Sequence, residues 1–344
     1  MHLLVTGGAG FIGRHFVKRV LEEHPDYSVT VLDKLTYAGR LENLAEFESN
    51  PRYAARYRFV RGDIAKPEDV ERAMNVGGDA VEAIVSFAAE THVDRSLSGA
   101  GDFILTDVYG VYALLEAARH HEVRRFLLVS TDEVYGSVEA GSSRETDSLD
   151  PRSPYSASKA GGELLAKAYH TSYNLPVLIT RGSNTFGPYQ YPEKFLPLFI
   201  TNALDDQPLP LYGDGLNVRD WLFVEDHCAA IDLVLHKGLV GETYNVGGGN
   251  ERTNLWMAWR LLALLGKPAS LIRFVTDRPG HDRRYSLDSA KLGALGWAPR
   301  QDFDGALAET VRWYREHESW WRPIKSGEWK EYYQQHYGER LARA

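Results

Sequence analysis

Hydrophobic and polar residues follow two alternating patterns along the first half of the chain. Apolar, β-branched runs predict strands, since buried parallel strands have near-continuous apolar sequences; the runs are His2–Thr6, Ser28–Leu32, Tyr57–Arg61, Ala83–Phe87, Arg125–Ser130 and Val177–Thr180. Longer stretches with a helical apolar period separate them, at Phe11–Glu23, Pro67–Met74, Asp102–His121 and Pro154–Tyr173. This alternation predicts an α/β fold with a doubly wound parallel sheet of the Rossmann type.

The pattern changes after residue 180, where glycine and proline become frequent. We therefore expect a dinucleotide-binding domain over residues 1–180 and a smaller α/β substrate-binding lobe over residues 181–344. Segments near residues 222–246 are expected to return to the main sheet. Five tryptophans lie in the last fifty residues, and we expect them to pin the C-terminal helices to the second lobe.

Composition and charge exclude several classes of partner. The chain has 344 residues, of which 44% are apolar and 25% charged, and its formal net charge is −8. Without a long basic run, binding to nucleic acid or to an anionic membrane surface is not expected. No apolar stretch is long enough to span a bilayer and no signal peptide precedes the first strand, so we expect a cytoplasmic protein. The single cysteine, Cys228, excludes an intrachain disulfide and is expected to be a packed core thiol.

A glycine-rich turn between the first strand and the first helix predicts a dinucleotide site. Gly7, Gly10 and Gly13 permit a tight turn and let backbone N–H groups approach a pyrophosphate. Asp33 ends the second strand, where a carboxylate binds the adenosine ribose and favours NAD over NADP, although Lys34 could soften that preference. Further expected cofactor contacts are Phe11, Ile12, Thr36, Asp63, Ile64, Phe87, Ala88, Ala89, Thr106 and Thr185.

Two pairs of residues carry the expected chemistry. Tyr155 and Lys159 lie four positions apart, on one face of a predicted helix. A phenol with a pKa of about 10 is a weak base, but a nearby ammonium and a cationic nicotinamide both favour the phenolate. Asp132 and Glu133 follow the fifth strand, at the sheet edge where α/β proteins bind ligands. In isolation they could be a loop cap and a solvated charge; beside the tyrosine pair they indicate a reaction that moves protons as well as a hydride.

Over nearly its whole length the chain resembles the nucleotide-sugar 4,6-dehydratases of the extended short-chain dehydrogenase/reductase family. The matching segments are Gly7–Gly13, Asp33–Gly39, Ala89–Ser96, Ser130–Gly136, Tyr155–Lys159, Ser183-Asn184, Gly187–Gln190, Pro192–Lys194, Arg219–Trp221 and Asp277–His281. The resemblance departs from the common family pattern at Thr91, Gly182 and Thr185-Phe186. Thr185 is expected beside the nicotinamide.

The resemblance implies a mechanism and a set of roles. Tyr155 would take the C4 hydroxyl proton while hydride passes to a tightly bound NAD, with Lys159 in support. Glu133 would remove the C5 proton, Asp132 would protonate the departing C6 hydroxyl, and Thr131 would hold O4. The two carboxyls need opposite starting protonation states, so their environments must push their pKa values apart.

The resemblance also implies a dTDP-hexose substrate and a homodimer formed through the helices around residues 102–121 and 154–173; no metal is expected. A UDP-glucose 4,6-dehydratase and a non-catalytic NAD-binding regulator are the alternatives. Epimerases and decarboxylases of the family lack the adjacent Asp-Glu after threonine. The implied substrate contacts are Thr91, Thr131, Asn184, Lys194, Phe195, Leu209, Tyr212, Arg219, Asn254, Arg278 and His281.

Overall fold

The computed structural model describes residues 1–342, and its strands are numbered here in chain order. They are β1 (His2–Thr6), β2 (Ser28–Asp33), β3 (Tyr57–Arg61), β4 (Ala83–Ser86), β5 (Arg125–Thr131), β6 (Val177–Gly182), β7 (Asn184–Phe186), β8 (Leu209–Tyr212), β9 (Val218–Phe223), β10 (Thr243–Val246), β11 (Glu251–Thr253) and β12 (Ile272–Val275). Among the predicted strands, those of the first domain differ from these bounds by two residues at most.

The helices are numbered in the same way. They are α1 (Phe11–Glu23), α2 (Ala45–Ser49), α3 (Pro51–Ala54), α4 (Pro67–Asn75), α5 (Val93–Ser98), α6 (Gly101–Phe103), α7 (Val111–His120), α8 (Pro154–Tyr173), α9 (Phe195–Leu204), α10 (Val224–Lys237), α11 (Asn254–Leu265), α12 (Ala290–Gly293), α13 (Phe303–Glu316), α14 (Glu318–Ser326) and α15 (Glu328–Ala342). A π-helical segment, Ile104–Gly110, joins α6 to α7, so the predicted helix over residues 102–121 has a wider turn inside it.

Seven parallel strands form the main sheet, in the order β10-β6-β5-β4-β1-β2-β3. The strand order reverses between β1 and β4, which creates the crevice where doubly wound sheets bind ligands. The predicted fold class is confirmed. From the later part of the chain, β10 joins this sheet beside β6, and α10 packs against α1.

The second lobe is built around two small sheets, β11-β9-β7 and β12-β8. The aromatic C-terminal helices pack on it, with Trp321 fully buried, but they also reach the first domain. There the Trp320 indole donates a hydrogen bond to Asn43 Oδ1 at 2.9 Å. Cys228 is buried in α10 as expected. Within residues 1–342, no helix combines the length and the apolar character needed to cross a membrane.

One helix, α8, carries the Tyr155–Lys159 pair, and local sequence signals fix it in place. Ser153 and Ser156 form a reciprocal capping box at its N-terminus, and Pro154 occupies the first helical position. Further along, the Glu163 carboxylate accepts hydrogen bonds from Arg181 of β6 at 2.6–3.1 Å, and both side chains are fully buried. This ion pair ties the middle of α8 to the sheet.

Candidate active site

Two adjoining cavities lie along the carboxyl ends of the main-sheet strands. The first cavity, of about 290 Å³, extends from the glycine turn after β1 to Tyr155 on α8. The second cavity, of about 150 Å³, lies between that site and the second lobe. Residues that border both cavities are Thr91, Glu133, Asn184, Glu193 and Lys194. A ligand could therefore extend continuously from one cavity into the other.

The glycine turn at the far end of the first cavity has no room for side chains. Gly7 has a φ of 71°, and a Cβ there would lie 2.6 Å from the Ala88 main-chain nitrogen. A Cβ on Gly13 would lie 2.3 Å from the Gly7 carbonyl oxygen. The backbone can thus approach a ligand closely, and the N–H groups that open α1 face a site suited to a pyrophosphate.

The end of β2 offers a buried carboxylate to the same cavity. Asp33 accepts hydrogen bonds from Ala9 N at 3.0 Å and Leu35 N at 2.8 Å, which leaves each oxygen a further lone pair. These lone pairs suit ribose hydroxyls and would repel a 2′-phosphate.

The ammonium of Lys34, next along the chain, is directed elsewhere. It donates to Thr106 Oγ1 at 3.2 Å and lies within 4 Å of carboxylate oxygens of Glu90 and Asp63. Because these partners engage the Lys34 ammonium, its charge is not available to bind a 2′-phosphate and weaken the preference for NAD over NADP. Together with the glycine turn and Asp33, the donor set fits a dinucleotide without a 2′-phosphate.

The first cavity brings together the residues expected to contact the cofactor. All of them line it: Gly7, Gly10, Phe11, Ile12, Gly13, Asp33, Lys34, Thr36, Asp63, Ile64, Phe87, Ala88, Ala89, Thr106, Tyr155, Lys159 and Thr185. The second cavity gathers Thr91, Asn184, Lys194, Phe195, Tyr212, Arg219, Asn254, Arg278 and His281 from the expected substrate contacts, while Thr131 lines the first.

Leu209 is the one expected substrate contact that the structure places in neither cavity lining. It is fully buried in β8 and pairs with Ile272 of β12. Its strand neighbours Pro210 and Leu211 line the second cavity instead. The family resemblance implied a contact from the correct strand, but it did not indicate which residues of that strand face the cavity.

The carboxyl pair sits in a short 3₁₀ turn directly after β5. Thr131 caps this turn: its hydroxyl accepts from Glu133 N at 3.3 Å and donates to Asp132 Oδ1 at 3.1 Å. Asp132 is buried, and its Oδ2 has no hydrogen-bond partner among the described residues. The turn therefore directs two carboxyls of different exposure toward the junction of the two cavities.

The surroundings of the two carboxyls separate their protonation states. Burial and the charge of Glu133 raise the pKa of Asp132 well above its ordinary value. Burial also raises the pKa of Glu133, but the cations of Arg278, Arg219 and Lys194 oppose that rise. These surroundings favour the protonated form of Asp132 and make Glu133 the carboxyl that ionises more readily.

Tyr155 and Lys159 are both buried beside this pair. Burial and the carboxylates of Glu133 and Asp107 raise the pKa of Tyr155 well above its ordinary value, against a hydrogen bond with Thr131. The Lys159 ammonium donates to Val129 O at 3.0 Å, and burial lowers its pKa. The protein groups alone therefore favour the neutral phenol.

Two polar side chains next to the candidate site residues were not predicted from the sequence. Asp107, in the π-helical segment, is buried; it accepts from Ser158 Oγ at 2.7 Å and its charge supports that of Lys159. His227 lines the first cavity with Nδ1 2.8 Å from Thr185 Oγ1. A Cβ at position 182 would lie 2.5 Å from its ring, which accounts for Gly182. For Asp107 and for His227, the only signal in the sequence was a polar residue within a buried helical face.

Several known proteins are similar to this chain in sequence and structure. The family model described as GDP-mannose 4,6 dehydratase matches residues 4–310. A dTDP-glucose 4,6-dehydratase of Actinoplanes sp. is 52% identical over 327 residues, which cover 93% of this chain and all of that protein. The chain belongs to the nucleotide-sugar 4,6-dehydratase family. The family resemblance expected from the motifs is confirmed.

Solved structures of the family share the whole architecture. The dTDP-glucose 4,6-dehydratase DesIV of Streptomyces venezuelae, crystallised with NAD, is 52% identical with a TM-score of 0.90. The enzyme of Bacillus anthracis, in complex with NAD, is 47% identical with a TM-score of 0.86. Each match covers 94% of this chain and 100% of the other.

Proposed function

We propose that this protein is an NAD-dependent dTDP-glucose 4,6-dehydratase, a hydro-lyase that yields dTDP-4-keto-6-deoxy-glucose. The observation that carries the proposal is the Asp132–Glu133 pair beside Tyr155, at the junction of a cavity that fits a dinucleotide and a cavity lined with cations. Relatives about half identical to this chain over nearly its full length bear that enzyme name. The expected cytoplasmic location stays a prediction.

The first step needs a proton acceptor at the sugar C4 hydroxyl. When bound, oxidised NAD supplies a hydride acceptor, which later returns the hydride, and a positive charge that lowers the pKa of Tyr155. The Tyr155 phenolate takes the C4 hydroxyl proton, and Thr131 donates to or accepts from the oxygen at C4. The Lys159 ammonium adds positive charge beneath the phenolate.

The second step removes water across C5–C6. Oxidation at C4 acidifies the C5 hydrogen, and Glu133 takes that proton because its carboxylate is supported by Arg278, Arg219 and Lys194. Asp132, held protonated by burial, donates its proton to the leaving C6 hydroxyl. The two carboxyls thus exchange protonation states. Glu133 then returns its proton to C5, and a bound cofactor would supply the hydride to C6. The proton gained by Tyr155 balances the proton lost by Asp132, so exchange with solvent restores both starting states.

A product assay tests this function. The purified protein is offered dTDP-, UDP-, CDP- and GDP-glucose without added NAD, and a 4-keto-6-deoxy sugar nucleotide is sought by mass spectrometry and NMR. We expect product from dTDP-glucose. Preference for UDP-glucose would move the assignment to the UDP-linked reaction, and absence of turnover with every donor would favour a non-catalytic NAD-binding regulator.

We also propose that the protein is a homodimer formed through α8 and the helix spanning residues 101–120. These helices pack closely, because a Cβ on Gly162 would lie 2.6 Å from the Asp107 carbonyl oxygen. Their outward faces expose a set of apolar side chains, namely Ile104, Leu105, Tyr109, Tyr112, Leu164 and Tyr173. A second copy of the chain would bury this face as an isologous four-helix contact.

Sedimentation velocity tests the dimer. We expect Leu164→Glu to sediment as a monomer, because it places a charge in the proposed contact. Leu239→Glu, at another exposed leucine outside these two helices, should leave the dimer intact. A parent protein that sediments as a monomer would contradict the proposal.

A further inference from the structure

The C-terminal helix α15 lies against the second cavity, although the family model ends at residue 310. Tyr337 of α15 is buried and lines the cavity beside Tyr212 and Arg278. None of the catalytic steps uses a residue of this helix. Its contacts with the cavity wall therefore need a separate explanation.

Three α15 side chains meet at the hydroxyl of Tyr212. His336 Nε2 lies 2.6 Å from this oxygen, Arg340 Nη1 donates to it at 2.8 Å, and the Tyr337 hydroxyl lies 3.4 Å away. Arg340 is a donor to the tyrosine oxygen, and a protonated His336 Nε2 shares its hydrogen between this oxygen and Asp94 Oδ2. The Tyr212 proton is then free to be donated to Asp94 Oδ2, 3.2 Å away.

Asp94 connects this cluster to Arg278. Its carboxylate is buried; Oδ1 accepts from Arg278 Nη1 at 3.0 Å, while Oδ2 faces Tyr212 and lies 3.3 Å from His336 Nε2. Burial would raise the pKa of Asp94, but the hydrogen bond from His336 and the charge of Arg278 together hold it well below its usual range. Asp94 therefore stays ionised and fixes one edge of the Arg278 guanidinium.

The opposite edge of Arg278 is left for a ligand. Its Nε is buried and has no hydrogen-bond partner among the described residues. A guanidinium held at Nη1 presents Nε and Nη2 as a fork that matches two oxygens of one phosphate. The guanidinium also borders the second cavity, together with Arg219 and Lys194.

A second contact of α15 reaches the same wall by another route. The Arg95 guanidinium carbon lies 4.3 Å from the centre of the Tyr332 ring and 4.0 Å from the centre of the Tyr37 ring. Arg95 Nε donates to Glu193 Oε2 at 3.0 Å, and Glu193 directly precedes Lys194. Through Arg95, α15 supports the segment that carries Lys194, and through Tyr212 and Asp94 it supports Arg278.

We propose that α15 is part of the substrate site and that His336 and Arg340 are positioning residues, which hold Arg278 through Tyr212 and Asp94 to bind the diphosphate of the nucleotide sugar. This inference rests on the proposed function, since it assigns the second cavity to a nucleoside diphosphate. It predicts that changes on α15, outside the catalytic groups, alter substrate affinity and leave the chemical step intact.

Titration calorimetry with thymidine diphosphate and steady-state kinetics with dTDP-glucose test the inference on the full-length protein. His336→Leu and Arg340→Met should each weaken thymidine diphosphate binding by about three- to tenfold, the loss of about one net hydrogen bond. KM should rise with kcat within about twofold of the parent. NAD content and the unfolding temperature report whether the variants remain folded.

Two matched variants separate positioning from general disturbance of the helix. Gln335→Leu, at an exposed neighbour of His336, should bind like the parent, and Arg340→Lys, which keeps a donor, should recover much of the affinity. Parent-like binding by both His336→Leu and Arg340→Met would overturn the inference while leaving the proposed function in place. A parent that neither binds thymidine diphosphate nor converts dTDP-glucose would overturn both.

Discussion

Replacing Glu133 by glutamine tests the division of labour between the two adjacent carboxyls. Glutamine keeps the size of the side chain and leaves the bond from the residue 133 backbone N–H to Thr131 intact, but it cannot accept a proton. A general base contributes about 10²–10⁴-fold to rate, which is about 3 to 5 kcal/mol of barrier. We therefore expect Glu133→Gln to slow overall turnover by that factor, with fold and bound cofactor retained.

Oxidation at C4, the first half-reaction, should be favoured rather than slowed by Glu133→Gln. The Glu133 charge raises the pKa values of both Asp132 and Tyr155, so its removal lowers both. A lower pKa for Tyr155 means that the phenolate persists to lower pH. Oxidation at C4, followed as reduced cofactor in single-turnover experiments, should therefore extend to lower pH in Glu133→Gln than in the parent.

Hydrogen exchange at C5 decides between the two roles. In deuterated water the parent exchanges this hydrogen and Glu133→Gln should not. Asp132→Asn should still exchange it, because its defect lies in protonating the C6 hydroxyl. The reasoning is refuted if Glu133→Gln forms product at the parent rate, or if Asp132→Asn loses exchange while Glu133→Gln keeps it.

Three further changes have outcomes fixed by the geometry. Gly13→Ala places a methyl group 2.3 Å from a backbone oxygen and should yield folded protein without bound NAD by absorbance, whereas Gly293→Ala, with open space around it, should retain NAD. Asp33→Ser removes the carboxylate that faces the ribose and should narrow the preference for NAD over NADP in binding titrations; unchanged selectivity would contradict its role. Glu163→Gln leaves Arg181 without its buried counter-charge and should lower the free energy of unfolding by about 3–5 kcal/mol in urea. A loss below about 1 kcal/mol would show that the pair is dispensable.

The first domain was predictable because its signals are local. A buried parallel strand needs an apolar run of its own, and α8 carries its capping serines and Pro154 within four residues. Strand ends were less certain: β6 continues to Gly182 because Arg181 is buried against Glu163, a contact that no periodicity shows. The second lobe was not predictable in detail, since strands as short as β7 and β11 depend on their pairing with β9.

The same contrast between local sequence signals and long-range contacts applies to the candidate site. Residues within motifs at strand ends, such as Asp33 and Thr131, could be assigned to the first cavity because strand ends share one edge of the sheet. Residues that act through distant partners could not. Asp94 meets Arg278 across 184 positions of sequence, and His227 meets Thr185 across 42, so no local pattern records either contact.

The different pKa shifts of Asp132 and Glu133 show why contacts between distant segments matter for the chemistry. Asp132 and Glu133 share one strand end, and their sequence gives them nearly the same surroundings. Arg219 opposes the rise in pKa at both carboxyls, whereas Arg278 and Lys194, from two separate segments of the second lobe, oppose it at Glu133. Arg278 in turn is held by Asp94. In the proposed mechanism, cations of the second lobe thus favour Glu133 as the base and leave the buried Asp132 as the acid.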